Sequence, residues 1–284
     1  MRRLLVIVLI LMALVGVGVW WATKDAPAPA PVAPTAQGPE VTTIGKSVEG
    51  RSIEAYTFGQ SGKHLLFVGG IHGGYEWNSV LLAYELIDYL KANPAVAEGV
   101  TVTIIPSANP DGVFKVVGKE GRFSAADAST DADTLAAGRF NANEVDINRN
   151  FACKWQPTST WRSKQVSPGT QAFSEPEARA IRDFVSKSSP NAVVFWHSQA
   201  NAVYASECEA GVLPQTRAVM ETYASAAGYP AILSFDAYPI TGDAEGWLAS
   251  IGIPAITVEL ADHTSVEWEK NLAGTKALFA LYSK

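Results

Sequence analysis

A histidine and a glutamate lie close together in the glycine-rich stretch FVGGIHGGYEWNSV, residues 67–80, of a chain that contains only four histidines. His72 follows the apolar run KHLLFVGG, which predicts a short buried strand. Glu76 opens the segment EWNSVLLAYELIDYLKAN, whose apolar spacing predicts an amphipathic helix. The pair is therefore expected where a strand ends and a helix begins, the place where ligands and catalytic groups gather in open α/β sheets.

A second histidine and a second glutamate occur in similar contexts further along the chain. His197 lies at the end of the segment VVFWHS and Glu259 at the end of AITVEL, and both segments predict strands. One such histidine is more often a hydrogen-bonded structural residue. Two histidines and two glutamates at strand ends instead indicate a catalytic zinc site, in which three side chains bind the metal and the remaining carboxylate acts as a base.

Polar residues are concentrated between residues 110 and 171, where the sequence has little helical or strand periodicity. The segment GRFNANEVDINRNF, residues 138–151, contains Arg139, Asn148 and Arg149. Guanidinium groups beside side-chain amides are suited to binding a carboxylate, because they offer a bidentate fork. A solvated loop with local salt bridges is the alternative. The preceding SANPDG, residues 107–112, predicts a turn at the end of a strand.

Predicted strands alternate with predicted helices over most of the chain. The strands are SIEAYTFG, HLLFVGG, VTVTIIPSAN, NAVVFWHS and IPAITVEL, and one helix is expected to have Ser174 as its N-cap. This alternation predicts an α/β fold with a mostly parallel β-sheet. The composition is globular, with 48% hydrophobic residues and a formal net charge of −6. Since no basic block is present, nucleic acid is not an expected partner.

The first residues, MRRLLVIVLILMALVGVGVWWATK, are almost uniformly apolar after two arginines. Residues 1–23 are therefore predicted to be a signal anchor in the membrane, with a cleaved signal peptide as the alternative. Residues 24–40 are predicted to be an Ala/Pro-rich linker, and residues 41–284 are predicted to form the folded domain that carries the candidate zinc site. That domain is expected outside the cytoplasm, in the periplasm or at the cell exterior, and secreted if the signal is cleaved.

The chain contains two cysteines, Cys153 and Cys208. An even pair in an oxidising compartment predicts one disulfide, and two unpaired buried cysteines are the alternative.

Taken in chain order, these motifs resemble the zinc metallocarboxypeptidase family of the carboxypeptidase A type, in its bacterial exported form. The family shows a His and Glu pair, N-P-D-G, an arginine, N-R, a third zinc histidine, and finally a tyrosine and a glutamate. All of these occur here in that order. One departure is the spacing in HGGYE, where Tyr75 occupies the position usual for the glutamate. Glu76 is nevertheless expected to bind the metal.

The resemblance implies a mixed, mostly parallel β-sheet flanked by helices on both faces. It also implies a monomeric, Zn²⁺-dependent exopeptidase that removes the C-terminal residue from peptides or cell-wall peptides. The alternatives are a zinc amidohydrolase of small acylated amino acids and a non-catalytic peptide-binding relative. The implied metal ligands are His72, Glu76 and His197, the catalytic residues are Glu259, Arg139 and Tyr238, and the substrate-binding residues are Asn148, Arg149, Asp243 and Glu245.

Two acids follow the tyrosine in the segment YPITGDAEGW, residues 238–247. In the family, an acid on this stretch can pair with a basic C-terminal side chain. Asp243 and Glu245, with Glu245 favoured by its offset from Tyr238, therefore predict a preference for basic or diaminopimelate-containing ends. The alternative is that one or both acids point away from the substrate.

Overall fold

The computed structural model of the chain describes residues 38–283. The predicted signal segment, residues 1–23, and residues 24–37 of the predicted linker lie outside the described residues. Within the described range, no helix is both long and apolar enough to cross a membrane. Residues from Gly38 onward form a single compact unit.

Strands and helices alternate through this unit as the sequence predicts. The described strands are β1 (Glu40–Lys46), β2 (Ser52–Phe58), β3 (Lys63–Val68), β4 (Val100–Ile105), β5 (Ser159–Trp161), β6 (Lys164–Val166), β7 (Ala192–Ser198), β8 (Ala202–Ala205), β9 (Glu207–Cys208), β10 (Gly211–Val212), β11 (Ala231–Ile232) and β12 (Ala255–Leu260). The described α-helices are α1 (Trp77–Ala92), α2 (Pro110–Val117), α3 (Ala132–Ala137), α4 (Pro176–Ser188), α5 (Pro214–Ala227), α6 (Ala244–Ser250) and α7 (Trp268–Tyr282).

An eight-stranded sheet forms the centre of the fold, in the order β1-β2-β4-β3-β7-β12-β8-β11. Its four central strands, β4, β3, β7 and β12, run parallel. The pairs β1–β2, β2–β4 and β8–β12 are antiparallel, and the edge strand β11 pairs in parallel with β8. The predicted mixed, mostly parallel sheet is thus confirmed. Short hairpins, β5–β6 and β9–β10, lie outside this sheet.

Apolar side chains of the central strands alternate between the two faces of the sheet. Leu65 and Phe67 of β3 pack in one core with residues of α1, α5 and α7, and Leu66 and Val68 pack in the other with residues of α4 and α6. Strands buried on both faces need this near-continuous apolar sequence. The prediction of helices on both faces is confirmed, and the N-terminal helix predicted before them lies outside the described residues.

Two of the candidate catalytic residues occupy neighbouring strands. In the β7–β12 pair, Glu259 lies opposite His197. The strands are parallel, so both residues are near the carboxyl ends and their side chains share one face of the sheet. The chain that leaves β3 at Val68 reaches His72 at this same edge.

Local structure departs from the sequence-based predictions at two helix starts. SANPDG does not form a simple turn, because Asn109 caps α2 by accepting a hydrogen bond from the Gly112 amide at 3.0 Å, with Pro110 in the first helical position. At α4 the N-cap is Glu175 rather than Ser174. Pro176, at the first helical position, places the cap on the residue just before it, and the Ser174 hydroxyl donates to the Glu175 carboxylate at 2.7 Å.

A disulfide joins Cys153 to Cys208, with a Cα–Cα distance of 6.2 Å. It tethers the loop after Asn148 and Arg149 to β9. The same loop pairs with the segment before α6 through backbone hydrogen bonds, from Phe151 to Gly242 and from Gly242 to Cys153, both of 2.8 Å. The loop that carries two predicted substrate-binding residues is therefore fixed covalently and by backbone pairing.

We expect the double substitution Cys153→Ser and Cys208→Ser to lower the free energy of unfolding by about 2–4 kcal/mol, because it releases a closed loop in the unfolded chain. Urea unfolding of oxidised protein and variant, followed by circular dichroism, measures the change. Equal midpoints with equal slopes would contradict the expectation.

Candidate active site

Three buried side chains form a cluster of metal-ligating groups at the carboxyl edge of the sheet. His72, Glu76 and His197 each offer a ligand atom, and these atoms lie within 4.8 Å of one another. The Nδ1 atoms of the two histidines are 3.2 Å apart. The Glu76 carboxylate lies against both rings, with 2.8 Å from Oε1 to His72 Nδ1 and 3.1 Å from Oε2 to His197 Nδ1.

A short 3₁₀ turn, Gly73–Glu76, accommodates the long spacing of HGGYE. A Cβ atom on Gly73 would lie 2.3 Å from the Gly138 carbonyl oxygen, and one on Gly74 would lie 2.5 Å from the Val116 side chain. The turn therefore packs against its neighbours in a way that only glycine allows. As a result Glu76, at the start of α1, faces the histidines.

The neighbouring Tyr75 does not join the cluster of ligands. Its ring packs edge-on against Trp161 and His263, with centroid distances of 4.9 Å and 4.6 Å. The structure thus places Glu76, the glutamate that the sequence analysis selected, beside His72 and His197.

The donor set and its geometry fit zinc. Two imidazole nitrogens and a carboxylate are a common ligand set for a catalytic zinc that keeps one position open. Ligands about 2.0–2.2 Å from one zinc lie roughly 3.3–3.6 Å from each other in a tetrahedral site. The observed separations of 2.8–3.2 Å are shorter, so small side-chain shifts outward would bring the three groups to that spacing. His72, Glu76 and His197 would hold the ion.

Electrostatic coupling within the cluster is strong. Burial opposes ionisation of Glu76, but the two histidines outweigh it and hold the pKa of Glu76 well below its usual range. Burial, with a contribution from Arg139, lowers the pKa of His72 to about 4. Burial also disfavours the charged form of His197, yet Glu76 and Glu245 raise the pKa of His197 well above its usual value.

Carboxylates also lie behind the histidines, on the side away from the cluster. His197 Nε2 is 2.9 Å from Glu245 Oε1, which also accepts a hydrogen bond from the Thr257 hydroxyl at 3.2 Å. His72 Nε2 lies 3.7 Å from Asp146 Oδ1. Such outer carboxylates orient metal-binding imidazoles and fix their tautomers.

Glu259, the predicted base, lies beside this cluster at the end of β12. Its Oε2 atom is buried and has no hydrogen-bond partner among the described residues. Burial and the negative charge of Glu76 raise the pKa of Glu259 to about 7. A carboxylate with a pKa near neutrality is well matched to proton transfer at physiological pH.

Arg139 is held firmly at the wall of the cleft. Its Nε and Nη2 atoms each lie 2.9 Å from Asp146 Oδ2, and its guanidinium lies 4.6 Å from the centre of the Trp161 ring. Arg139 Nη1 is 3.9 Å from Glu76 Oε1, so the positive charge sits next to the metal-ligating cluster. A guanidinium beside this cluster can stabilise negative charge that develops on an oxygen atom nearby.

Asn148 and Arg149 lie in the 3₁₀ turn Ile147–Arg149 and line the same cleft. Arg149 is only 2% exposed. Its hydrogen bonds in the described part of the chain go to the carbonyl oxygens of Thr160, at 3.2 Å, and Asn148, at 2.7 Å. No carboxylate is among these partners, so the charge is available to an anionic ligand.

Tyr238, Asp243 and Glu245 line the cleft as well. Tyr238 is half-buried, and its ring lies 4.9 Å from Phe235. Asp243 caps α6 by accepting a hydrogen bond from the Gly246 amide at 2.7 Å, and burial together with the charge of Glu245 raises the pKa of Asp243 to about 6. Both acids thus have structural partners that the sequence analysis did not predict.

Sequence reasoning missed Asp146, Thr257 and Trp161. Asp146 stands two residues before Asn148 in DINRN, and an acid so close to two arginines is a signal that could have identified it. Thr257 lies two residues before Glu259, on the same face of β12, which strand periodicity could have shown. Trp161 lies in the β5–β6 hairpin, and no local pattern connects it to the site.

A model of the family described as zinc carboxypeptidase matches residues 36–273, most of the chain. The chain belongs to the zinc carboxypeptidase family. Family membership confirms the resemblance stated from the motifs, and it supports a zinc-dependent hydrolase of the metallocarboxypeptidase type with Zn²⁺ as cofactor.

Similar proteins differ in what their names say they act on. The γ-D-glutamyl-L-diamino acid endopeptidase 1 of Lysinibacillus sphaericus is 25% identical over 245 residues, which cover 79% of this chain and 61% of the relative. Carboxypeptidase B of Helicoverpa zea is 28% identical over 255 residues, or 78% of this chain and 58% of the relative. The chain thus spans about 60% of the length of these two relatives.

The fold is shared with solved structures. The murein-tripeptide amidase of Escherichia coli O157 superposes with a TM-score of 0.59 and 22% identity, covering 86% of this chain and 90% of that one. This likeness concerns the fold alone.

We expect the substitution Glu259→Gln to stabilise the zinc-free protein more at pH 8 than at pH 4.5. Well below the ordinary glutamate pKa of about 4.3, Glu259 is protonated in both the folded and the unfolded chain, and at pH 4.5 its ionisation in the unfolded chain is only partial. As the pH rises towards the folded pKa of about 7, the unfolded chain ionises first, and the wild type loses stability that the neutral glutamine keeps.

Thermal unfolding of both proteins in a chelator measures this difference across the pH range. The exposed Glu98→Gln serves as the control for loss of a carboxylate away from the site. A difference between wild type and Glu259→Gln that is constant with pH would contradict the assigned environment.

Proposed function

We propose that the protein is a zinc-dependent exopeptidase that removes the C-terminal residue from peptides. The observation that carries the proposal is the buried guanidinium of Arg149. It has no carboxylate partner within the described residues and lines the cleft that contains His72, His197 and Glu259. A peptide with its terminal carboxylate on Arg149 would place its last peptide bond near the metal ligands.

The reaction assigned to this arrangement is hydrolysis of that bond. Zinc held by His72, Glu76 and His197 would supply Lewis-acid chemistry, which polarises a carbonyl group and makes water more acidic. Glu259 accepts a proton from the attacking water and transfers it to the nitrogen of the leaving amine. Its Oε2 atom has no hydrogen-bond partner among the described residues and is therefore free to accept that proton.

Arg139 and Tyr238 have supporting roles in this proposal. Arg139, fixed by Asp146, donates hydrogen bonds to the carbonyl oxygen as negative charge develops on it.

Asn148 and Arg149 hold the terminal carboxylate, which selects substrates with a free C-terminus. Tyr238 lies at the cleft wall and closes over the bound residue.

The preferred C-terminal residue is proposed to be cationic, such as lysine, arginine or diaminopimelate. Asp243 and Glu245 line the cleft together with Arg149. Once the terminal carboxylate of the substrate neutralises Arg149, the charges of Asp243 and Glu245 are no longer balanced by that arginine. An ammonium group on the side chain of the terminal residue would offset them. The similarity to a γ-D-glutamyl-L-diamino acid endopeptidase supports a diamino acid in this position and a cell-wall peptide as the substrate.

An extracytoplasmic location is proposed with this function. A disulfide between Cys153 and Cys208 suits an oxidising compartment. The apolar segment at residues 1–23 would tether the domain to the membrane as a signal anchor, or direct its secretion if it is cleaved.

We expect replacement of the free C-terminal carboxylate by an amide to lower kcat/KM by about 100-fold. The loss of a charge-assisted contact with the buried Arg149 accounts for a change of this size. The measurement compares an acyl-dipeptide acid with its amide on the wild type, with Glu259→Gln as the inactive control. An amide that is hydrolysed as fast as the acid would refute the exopeptidase assignment.

We also expect peptides that end in lysine or diaminopimelate to be preferred over those that end in leucine by at least about tenfold in kcat/KM. This ratio requires about 1.4 kcal/mol of additional transition-state stabilisation, which one partly desolvated ion pair can supply. Competition between paired lysine- and leucine-ended substrates gives the ratio directly. A ratio near one would argue against the acidic pocket.

A further inference from the structure

Glu245 makes the closest side-chain contact to the metal-ligating histidine on β7. Its Oε1 atom lies 2.9 Å from His197 Nε2, and the two residues are 3% and 2% exposed. We infer that Glu245 is a positioning residue, which holds the imidazole of His197 in the orientation and tautomer needed for zinc. This role differs from the one that the sequence predicts, in which Glu245 recognises the side chain of the substrate.

The two nitrogens of His197 face different partners. Nε2 faces Glu245, and Nδ1 faces His72 Nδ1 and the Glu76 carboxylate, at 3.2 Å and 3.1 Å. In a neutral imidazole one nitrogen carries the proton and the other offers a lone pair. A carboxylate that accepts from Nε2 keeps the proton on that nitrogen. The Nδ1 lone pair is then directed to the site where the ligand atoms converge.

Hydrogen bonds fix both the Glu245 side chain and the two residues that precede it. The Thr257 hydroxyl donates to the same Oε1 atom at 3.2 Å, and Thr257 belongs to β12, the strand of the proposed base. Asp243 caps the helix that begins one residue before Glu245. The Ala244 amide donates to Asn148 Oδ1 at 2.8 Å. The Glu245 side chain therefore connects the ligand strand to the base strand, and the preceding residue, Ala244, is bonded to the turn that contains Asn148.

The second metal-ligating histidine lacks an equivalent contact. His72 Nε2 has no hydrogen-bond partner in the described part of the chain, and its nearest carboxylate oxygen, Asp146 Oδ1, is 3.7 Å away. The other oxygen of Asp146 binds Arg139. Only His197 thus has an outer carboxylate at hydrogen-bond distance, and removal of Glu245 is expected to affect this ligand specifically.

The inference rests on the proposed zinc site but not on the proposed reaction, so the decisive measurement is zinc affinity without substrate. Competition with a chromophoric chelator gives the affinity of the wild-type domain and of three variants, Glu245→Ala, Glu245→Gln and Asp243→Asn. Asp243→Asn is the matched control, because asparagine removes a cleft charge while keeping a side chain that can cap α6.

We expect Glu245→Ala to weaken zinc binding by about 10–100-fold, the range found when outer carboxylates are removed from metal sites. Glu245→Gln should weaken it less, by roughly 3–10-fold, because the amide oxygen can still accept from Nε2 but carries no charge. Asp243→Asn should stay within about twofold of the wild type. At saturating zinc, Glu245→Ala should lower kcat/KM for leucine-ended peptides as well as for lysine-ended ones, because a misplaced zinc ligand affects every substrate.

Three outcomes would overturn the inference. The first is a zinc affinity of Glu245→Ala within about twofold of the wild type. The second is a loss of zinc affinity in Asp243→Asn as large as that in Glu245→Ala. The third is a Glu245→Ala variant that binds zinc normally and loses kcat/KM only for lysine-ended peptides. If circular dichroism shows that zinc-free Glu245→Ala is unfolded, Glu245→Gln decides. An unchanged zinc affinity in that variant also overturns the inference.

Discussion

A carboxylate buried between two imidazoles is the constraint on which the rest of the site depends. Glu76 is 3% exposed and touches both His72 and His197, so its charge needs a compensating cation. Without metal that cation is a proton, which the raised pKa places on His197. Zinc must displace this proton, so metal binding and protonation compete at one position. The fold supplies ligands whose mutual attraction already holds them close together.

Backbone geometry brings these groups together from three separate parts of the chain. Parallel register places His197 beside Glu259, and the glycine turn after β3 brings Glu76 towards them in spite of the additional residue in HGGYE. Neither glycine of that turn could carry a side chain without displacing a neighbour. The ligand set is thus preserved in spite of the unusual spacing, because the 3₁₀ turn accommodates the extra residue and Tyr75 packs against Trp161.

Strand periodicity and motif order predicted the sheet, its helices and the residues of the cluster, because these depend on local patterns and on the shared edge of parallel strands. The direction of individual side chains could not be predicted. Glu245 lies at the offset expected of a specificity residue, yet its contact with His197 arises from the packing of α6 against β7 and β12. The α2 start at Asn109 was missed because one N-P-D-G sequence is compatible with both a turn and a capped helix.

The charges around the cleft show why these roles belong together. Five carboxylates, those of Glu76, Asp146, Asp243, Glu245 and Glu259, face two guanidinium groups, those of Arg139 and Arg149. When all seven groups are ionised, their net charge is −3, and a bound divalent metal ion changes it to −1. A proton on Glu259, or an ammonium group of the substrate, neutralises the remaining negative charge. The acids that orient ligands and cap helices therefore also create an electrostatic field that favours a cationic substrate. Glu245 can thus position His197 and still contribute to the selectivity of the cleft.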